Sequence, residues 1–259
     1  MLYDFSNIKT KPNFHFIFDR LHRGNIGILA GIGAVGKSYF ILEQIINYIL
    51  FKKGHLPNSS SINMNFNKVK IITTEDEVNI ITNRIQNILI VLFKTNDINK
   101  IKDIDKIIDL LQKSIILVIS ENLHETKKEV EKNDGEEFLI LDTLSVILKL
   151  KSEIDNAEIS SKIETFKEIA IKNSISILFI HHLNQSAMSI KSKDEITADK
   201  LRGATTLLNN VRYVSLLVKI KESIFYKSVK VNNGKRTEIE FENDFWNLGF
   251  SEKKTRIPF

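Results

Sequence analysis

The residues best suited to chemistry open with the octapeptide Gly31-Ile32-Gly33-Ala34-Val35-Gly36-Lys37-Ser38, a full G-x-x-x-x-G-K-S run of the Walker A type, the pattern of a loop that cradles phosphate. Glycines let the backbone curl until several N–H groups point inward, and the helix that must follow adds the partial positive charge of its N-terminus. Lys37 is then placed to reach the β- and γ-phosphates of a triphosphate. Ser38 can offer its hydroxyl to Mg²⁺. Gly31, Gly33, Ala34, Val35, Gly36, Lys37, Ser38 and the adjoining Tyr39 form the expected nucleotide-binding set.

Such a loop needs a carboxylate at the end of another strand to complete the magnesium shell. Phe138-Leu139-Ile140-Leu141-Asp142 supplies four apolar residues and then an acid. Hydrolysis also needs a group that positions or deprotonates water, and Glu75-Asp76 follow an apolar run that ends at Thr73. Successive residues point in different directions, so one of the pair faces the γ-phosphate. Glu75 is favoured, with Asp76 as N-cap of the next helix. His181 and His182 pose the same alternation. Without Cys or an H-E-x-x-H motif, zinc is not expected, and a strand-end His is better suited to sensing the γ-phosphate.

The elements that must position these groups read as an α/β domain. Apolar runs of strand length alternate with helical periodicity, which signals a mostly parallel sheet flanked by helices. Strands are expected at Ile26 to Ala30, Val69 to Thr73, Ile115 to Ile119, Phe138 to Leu141 and Ile175 to Ile180. Helices are expected from about Lys37 to Phe51, Val78 to Leu92, Ile101 to Leu111 and Ala157 to Ile171; the first is apolar on nearly every side and should be buried. Glu125 to Glu137 reads as a solvated helix or loop. Leu183 to Asp199 shows no periodicity, and a loop of that length is usually functional or mobile. Tyr213 to Ile220, Ile224 to Val231 and Thr237 to Phe241 read as antiparallel strands, with Asn233-Gly234 as a hairpin turn. One domain over 1–259 is expected, with an N-terminal segment (1–24) and a C-terminal β-hairpin extension (213–259).

Composition bounds the rest. The 259 residues are 42% apolar and 27% charged, as in an ordinary globular chain rather than a disordered one. With no Cys at all, disulfide frameworks, thiolate zinc sites and cysteine nucleophiles are excluded. No secretory leader or membrane span is legible, so a soluble cytoplasmic protein is expected. The 37 Lys and Arg exceed the 32 Asp and Glu by five, a bias that permits an anionic partner without requiring one.

Together these motifs resemble the RecA-like hexameric replicative helicases of the plasmid RepA type, from Val35 to Lys230. The discriminating features are Thr74-Glu75-Asp76 with Arg84 downstream, Leu141-Asp142-Thr143-Leu144, the Glu153 to Ala157 stretch, Ser176-Ile177-Leu178-Phe179-Ile180-His181-His182, Arg202-Gly203 and Asn210-Val211-Arg212. The resemblance implies Glu75 as catalytic carboxylate, Asp142 as magnesium-shell acid and His182 as phosphate sensor. It implies Arg212 as an arginine finger reaching the next subunit's nucleotide, with Lys230 near that interface and Arg84 and Arg202 at further family positions. The chain departs from the family pattern between Leu111 and Phe138 and in the loop after His182.

The resulting expectation is an ATP- and Mg²⁺-dependent translocase on single-stranded DNA, acting as a homohexamer in plasmid replication. The alternative is an ATPase of the same core that regulates or remodels a protein partner. Lys191, Lys193 and Lys200 are the expected DNA-phosphate contacts, and with no aromatic in their loop binding should be electrostatic and salt-sensitive.

Overall fold

A computed structural model describes residues 15–57, 62–120, 123–148, 156–232, 234–244 and 249–252. A short antiparallel pair, β1 (Phe16–Phe18) and β2 (Leu21–His22), precedes β3 (Ile26–Gly31) and α1 (Lys37–Lys52). Then follow β4 (Val69–Thr73), α2 (Val78–Leu92), α3 (Ile104–Ser114), β5 (Ile115–Ile119), α4 (Leu123–Glu131), β6 (Phe138–Asp142) and α5 (Leu144–Leu148). The chain continues through α6 (Asn156–Asn173), β7 (Ser176–His182), α7 (Ala204–Asn210), β8 (Tyr213–Ile220), β9 (Ser223–Val231), β10 (Glu238–Asp244) and β11 (Gly249–Glu252).

Nine strands form one sheet in the order β11-β10-β9-β8-β3-β7-β6-β4-β5. Strands β5, β4, β6, β7, β3 and β8 run parallel, and β9, β10 and β11 extend the sheet antiparallel. Alternation along each strand supplies both faces with apolar residues. One face packs on α1, α2 and α3 through Phe40, Ile45, Ile88 and Ile107. The other packs on α4 to α7 through Val130, Ile147, Ile163 and Leu207. The expected burial of α1 holds: even Glu43, Gln44 and Asn47 are buried among its apolar residues.

Two element boundaries shift and two readings become specific, four local readings in all. The third helix starts at Ile104, because the Asp97 side chain accepts from the Asn99 amide (2.9 Å) to close a 3₁₀ turn, and Asp103 adopts a left-handed φ of 58° before the helix. The charged stretch after β5 contains helix α4, then a loop whose Asp134 and Glu136 hold fully buried Lys70 of β4 at 2.9 and 3.2 Å. Residues 183–200 hold three short 3₁₀ turns, pinned into the second core by Ala187, Ile190 and Ile196 with Leu201 just beyond. Turns anchored by single side chains leave no period to detect.

The hairpin is the fourth. Strand β9 ends at Val231, as expected, and β10 begins at Glu238, one residue later than expected, so the connection spans 232–237. Thr237 is held out of β10 by its amide on Ser228 Oγ (2.6 Å) and its hydroxyl on Asp19 Oδ1 (2.6 Å). Gly234 has a left-handed φ of 98°, while Asn233, residues 1–14 and Glu153 to Asp155 lie outside the described residues.

Candidate active site

The parallel strands bring the expected residues to one edge of the sheet. Register pairs Gly31 of β3 with His182 of β7, Ile180 of β7 with Asp142 of β6, and Asp142 with Thr73 of β4. The phosphate loop, the His pair, Asp142 and the Glu75 segment therefore all leave the sheet at its carboxyl edge, where open α/β sheets bind ligands.

The loop from Gly31 to Ser38 has the shape its glycines require. A Cβ on Gly31 would meet Leu217 O and Val35 Cγ1 at 2.7 Å each, so β8 and the loop approach too closely for any side chain. Gly36 takes a left-handed φ of 85° directly before α1. Lys37 is 7% exposed and donates to Gly31 O (3.2 Å) and Ile32 O (3.1 Å). Burial pulls its pKa down, opposed by the Asp142 and Glu75 carboxylates beside it. Tyr39 is half-buried, and burial together with Glu43 pushes its hydroxyl pKa up.

Asp142 is 4% exposed, and its carboxyl is pushed up to about 6. Burial is the main cause; the Ser38 hydrogen bond and Lys37 act the other way, while Glu75 and Asp76 raise it further. Its Oδ1 is buried without a protein partner. A buried carboxylate oxygen in that condition, beside a serine hydroxyl and facing the phosphate loop, fits a hydrated Mg²⁺. Ser38 and Asp142 are two donors only, so phosphate oxygens and water would complete an octahedral shell.

Of the Glu75–Asp76 pair, Asp76 is placed otherwise than expected. Asp76 does not cap α2, whose N-cap is Glu77 without a side-chain bond. It forms a bidentate ion pair with Arg84 instead, Nη2 donating to Oδ1 at 2.9 Å and Nη1 to Oδ2. A guanidinium fork two turns along the helix outcompetes a cap for a planar carboxylate. Glu75 is exposed, and its Oε1 accepts from Thr143 Oγ1 at 2.9 Å. The ends of β4 and β6 are also cross-tied, since the Thr74 amide (2.8 Å) and hydroxyl (3.2 Å) both donate to Asp142 O.

Strand alternation separates the histidines. His182 shares the α1 face with Leu178, Ile180 and Asp142. His181 turns to the opposite face, where Nε2 meets Arg202 O at 3.1 Å and burial lowers its pKa to about 4. The Arg202 backbone is thereby held at the end of β7, its carbonyl facing His181 Nε2 and its amide donating to His182 O (3.3 Å).

Arg212 and Lys230 are at the other edge. The Arg212 amide donates to Ile26 O (3.1 Å), at the start of β3, and Lys230 pairs with Val214 at the start of β8. Lys230 Nζ donates to Leu208 O, and its pKa is lowered by burial and by the Arg212 charge. Asn232, which the sequence reading passed over, accepts from Arg212 Nη1 (3.2 Å) and donates to Arg212 O (3.3 Å). Among the loop lysines, Lys191 is exposed, Lys193 pairs with Glu238 (3.1 Å) and Lys200 with Asp199 (3.2 Å).

Residues 4–188 match the AAA domain family (AAA_25), and the chain belongs to that family. No curated protein matches the chain. Its fold is that of RecA-like helicase ATPase domains. It is similar to a solved structure whose title gives it as an ATPase domain, with a TM-score of 0.64 and 15% identity, over 91% of this chain and 88% of that one. It is also similar to a structure titled "The Structure Of A DnaB-Like Replicative Helicase And Its Interactions With Primase", with a TM-score of 0.63 and 15% identity. That match covers 88% of this chain and 57% of the other. Among the described residues no helix is long and apolar enough to cross a membrane.

Proposed function

We propose that the chain is the ATP-hydrolysing motor domain of a ring-forming replicative DNA helicase of the plasmid RepA type, cytoplasmic and translocating on single-stranded DNA. The observation that carries this reading is the division of the sheet, with Lys37, Ser38, Asp142, Glu75 and His182 at one edge and Arg212 with Lys230 at the other.

Lys37 and the loop amides hold the triphosphate, and Ser38 and Asp142 hold its Mg²⁺, which supplies charge neutralisation at the β- and γ-phosphates. Glu75 orients the attacking water and takes its proton, and His182 senses the γ-phosphate from the end of β7. Residues 1–259 act as one such domain. Arg212 is too far from its own loop to serve it, so it completes the site of the next copy, which makes the active unit a ring, taken here as a homohexamer. An arginine supplied by a docked neighbour couples turnover to assembly.

A second reading, an ATPase that remodels a protein partner, is favoured by the loop lysines. Lys193 and Lys200 have carboxylate partners, which removes part of the positive charge a DNA-phosphate track needs. One experiment separates the two. Turnover is measured with and without single-stranded DNA across a salt series, alongside particle size with ATP and Mg²⁺. Stimulation that fades with salt, in a six-fold particle, supports the helicase; an ATPase indifferent to DNA at low salt supports the remodelling enzyme.

A further inference from the structure

We infer that Thr143 is the positioning residue for Glu75, fixing which carboxylate oxygen faces the nucleotide; this rests on the reading of Glu75 as the water-activating acid. Glu75 lies beyond the end of β4, in the bend before α2, and its side chain is exposed. An exposed glutamate samples several rotamers, and ordering it costs side-chain entropy. Its own backbone contributes little anchoring, since the Glu75 amide reaches Thr73 Oγ1 only at 3.4 Å.

Thr143 is the opposite kind of group. It is 1% exposed and sits between β6 and α5, where its carbonyl accepts the Ile147 amide (3.1 Å) of the first turn of α5. The residue before it, Asp142, is tied through its carbonyl to Thr74. A donor fixed from both sides therefore holds an acceptor that is otherwise free to turn. A hydroxyl donating to an ionised carboxylate is a charge-assisted bond, stronger and more directional than a neutral one. With Oε1 taken by Thr143 at 2.9 Å, Oε2 is left for water. Ser145 Oγ, at 3.4 Å from Thr143 Oγ1, is too distant to compete strongly for the hydroxyl proton.

The test uses the full-length chain, measuring ATPase kcat and KM together with equilibrium binding of a fluorescent ATP analogue. Thr143→Val keeps the β-branched shape without the hydroxyl and should lower kcat about tenfold or more, with analogue binding changed by less than about twofold because Thr143 is outside the phosphate cradle. Thr143→Ser should recover most of the loss. Thr143→Ala repeats the deletion without the valine methyls, and thermal midpoints identify a variant that has failed to fold. Added to Glu75→Gln, Thr143→Val should cause no further loss, because it acts only through Glu75. Wild-type kcat in both Thr143→Val and Thr143→Ala, equal loss in Thr143→Ser, or losses that multiply with Glu75→Gln would each overturn the inference alone. Absence of turnover in the wild-type chain would overturn the ATPase reading and this inference with it.

Discussion

Arg212 and Gly31 stand at opposite ends of β3: the Arg212 amide donates to Ile26 O where that strand begins, and Gly31 is the residue at which it ends. The strand has six residues, which puts roughly 16 Å between them. That separation exceeds the reach of an arginine to its own phosphate loop. Arg212→Ala should therefore leave binding of a fluorescent ATP analogue nearly unchanged while lowering kcat on the order of 10³-fold. Mixed with Glu75→Gln, it should regain part of the activity, since some interfaces then combine an intact Glu75 with a neighbour's Arg212. No regain at any mixing ratio would count against a finger acting between subunits.

Lys37 is the buried cation of the loop, so Lys37→Ala removes both its charge and its hold on Gly31 O and Ile32 O. Turnover should fall by at least about 100-fold, measured as phosphate release. Wild-type-like hydrolysis in this variant would remove Lys37 from the site.

Asp142 links activity to pH through its raised pKa, about 6 against an ordinary 3.8. The unfolded chain loses that proton first, so the group's contribution to stability is fully present below about pH 4. It is lost as pH rises through 6. Asp142→Asn avoids the burial of a charge and keeps an acceptor for Ser38. It should stabilise the fold by on the order of 1–3 kcal/mol at pH 8 and not at all at pH 3 to 4, while Mg²⁺-dependent hydrolysis is abolished. Thermal midpoints against pH for both proteins check the sign; a destabilised variant at pH 8 would contradict it.

Asp19 fastens the first hairpin to the antiparallel strands. It is buried, with a left-handed φ of 49°, and its carboxylate accepts from Tyr213 (2.8 Å), Tyr226 (3.2 Å) and Thr237 (2.6 Å). Asp19→Ala leaves two buried tyrosine hydroxyls and the half-buried Thr237 hydroxyl without that acceptor and should cost on the order of 2–4 kcal/mol. Asp19→Asn, which keeps one acceptor oxygen and tolerates left-handed φ, should cost less. Urea midpoints distinguish them.

Legibility in the sequence followed the range of the interaction. The phosphate loop was readable because its signal is contiguous, and β3, β4, β6 and β7 were readable because buried parallel strands are apolar runs; β8, grouped in the sequence reading with the antiparallel strands, pairs parallel with β3 and antiparallel with β9. Thr143 was legible only as part of the Leu141 to Leu144 motif, with no role of its own: its partner Glu75 is distant in the chain, and the two meet only because β4 and β6 are neighbours. Asp76 was misread as a cap for a related reason. Caps are local, whereas its real partner Arg84 lies two turns into α2. Helix α7 and the β1–β2 pair were missed because such short elements form too little of a repeat to register.

Strand β8 has Tyr213, the neighbour of Arg212, at its first position, and Leu217, whose carbonyl closes against Gly31, within it. No turn or loop separates the two. The edge that carries Arg212 and the loop that opens at Gly31 are therefore joined by a stiff rod rather than a tether. In the proposed ring, a neighbour that pushed on Arg212 along that rod would move the grip on the nucleotide in the same stroke.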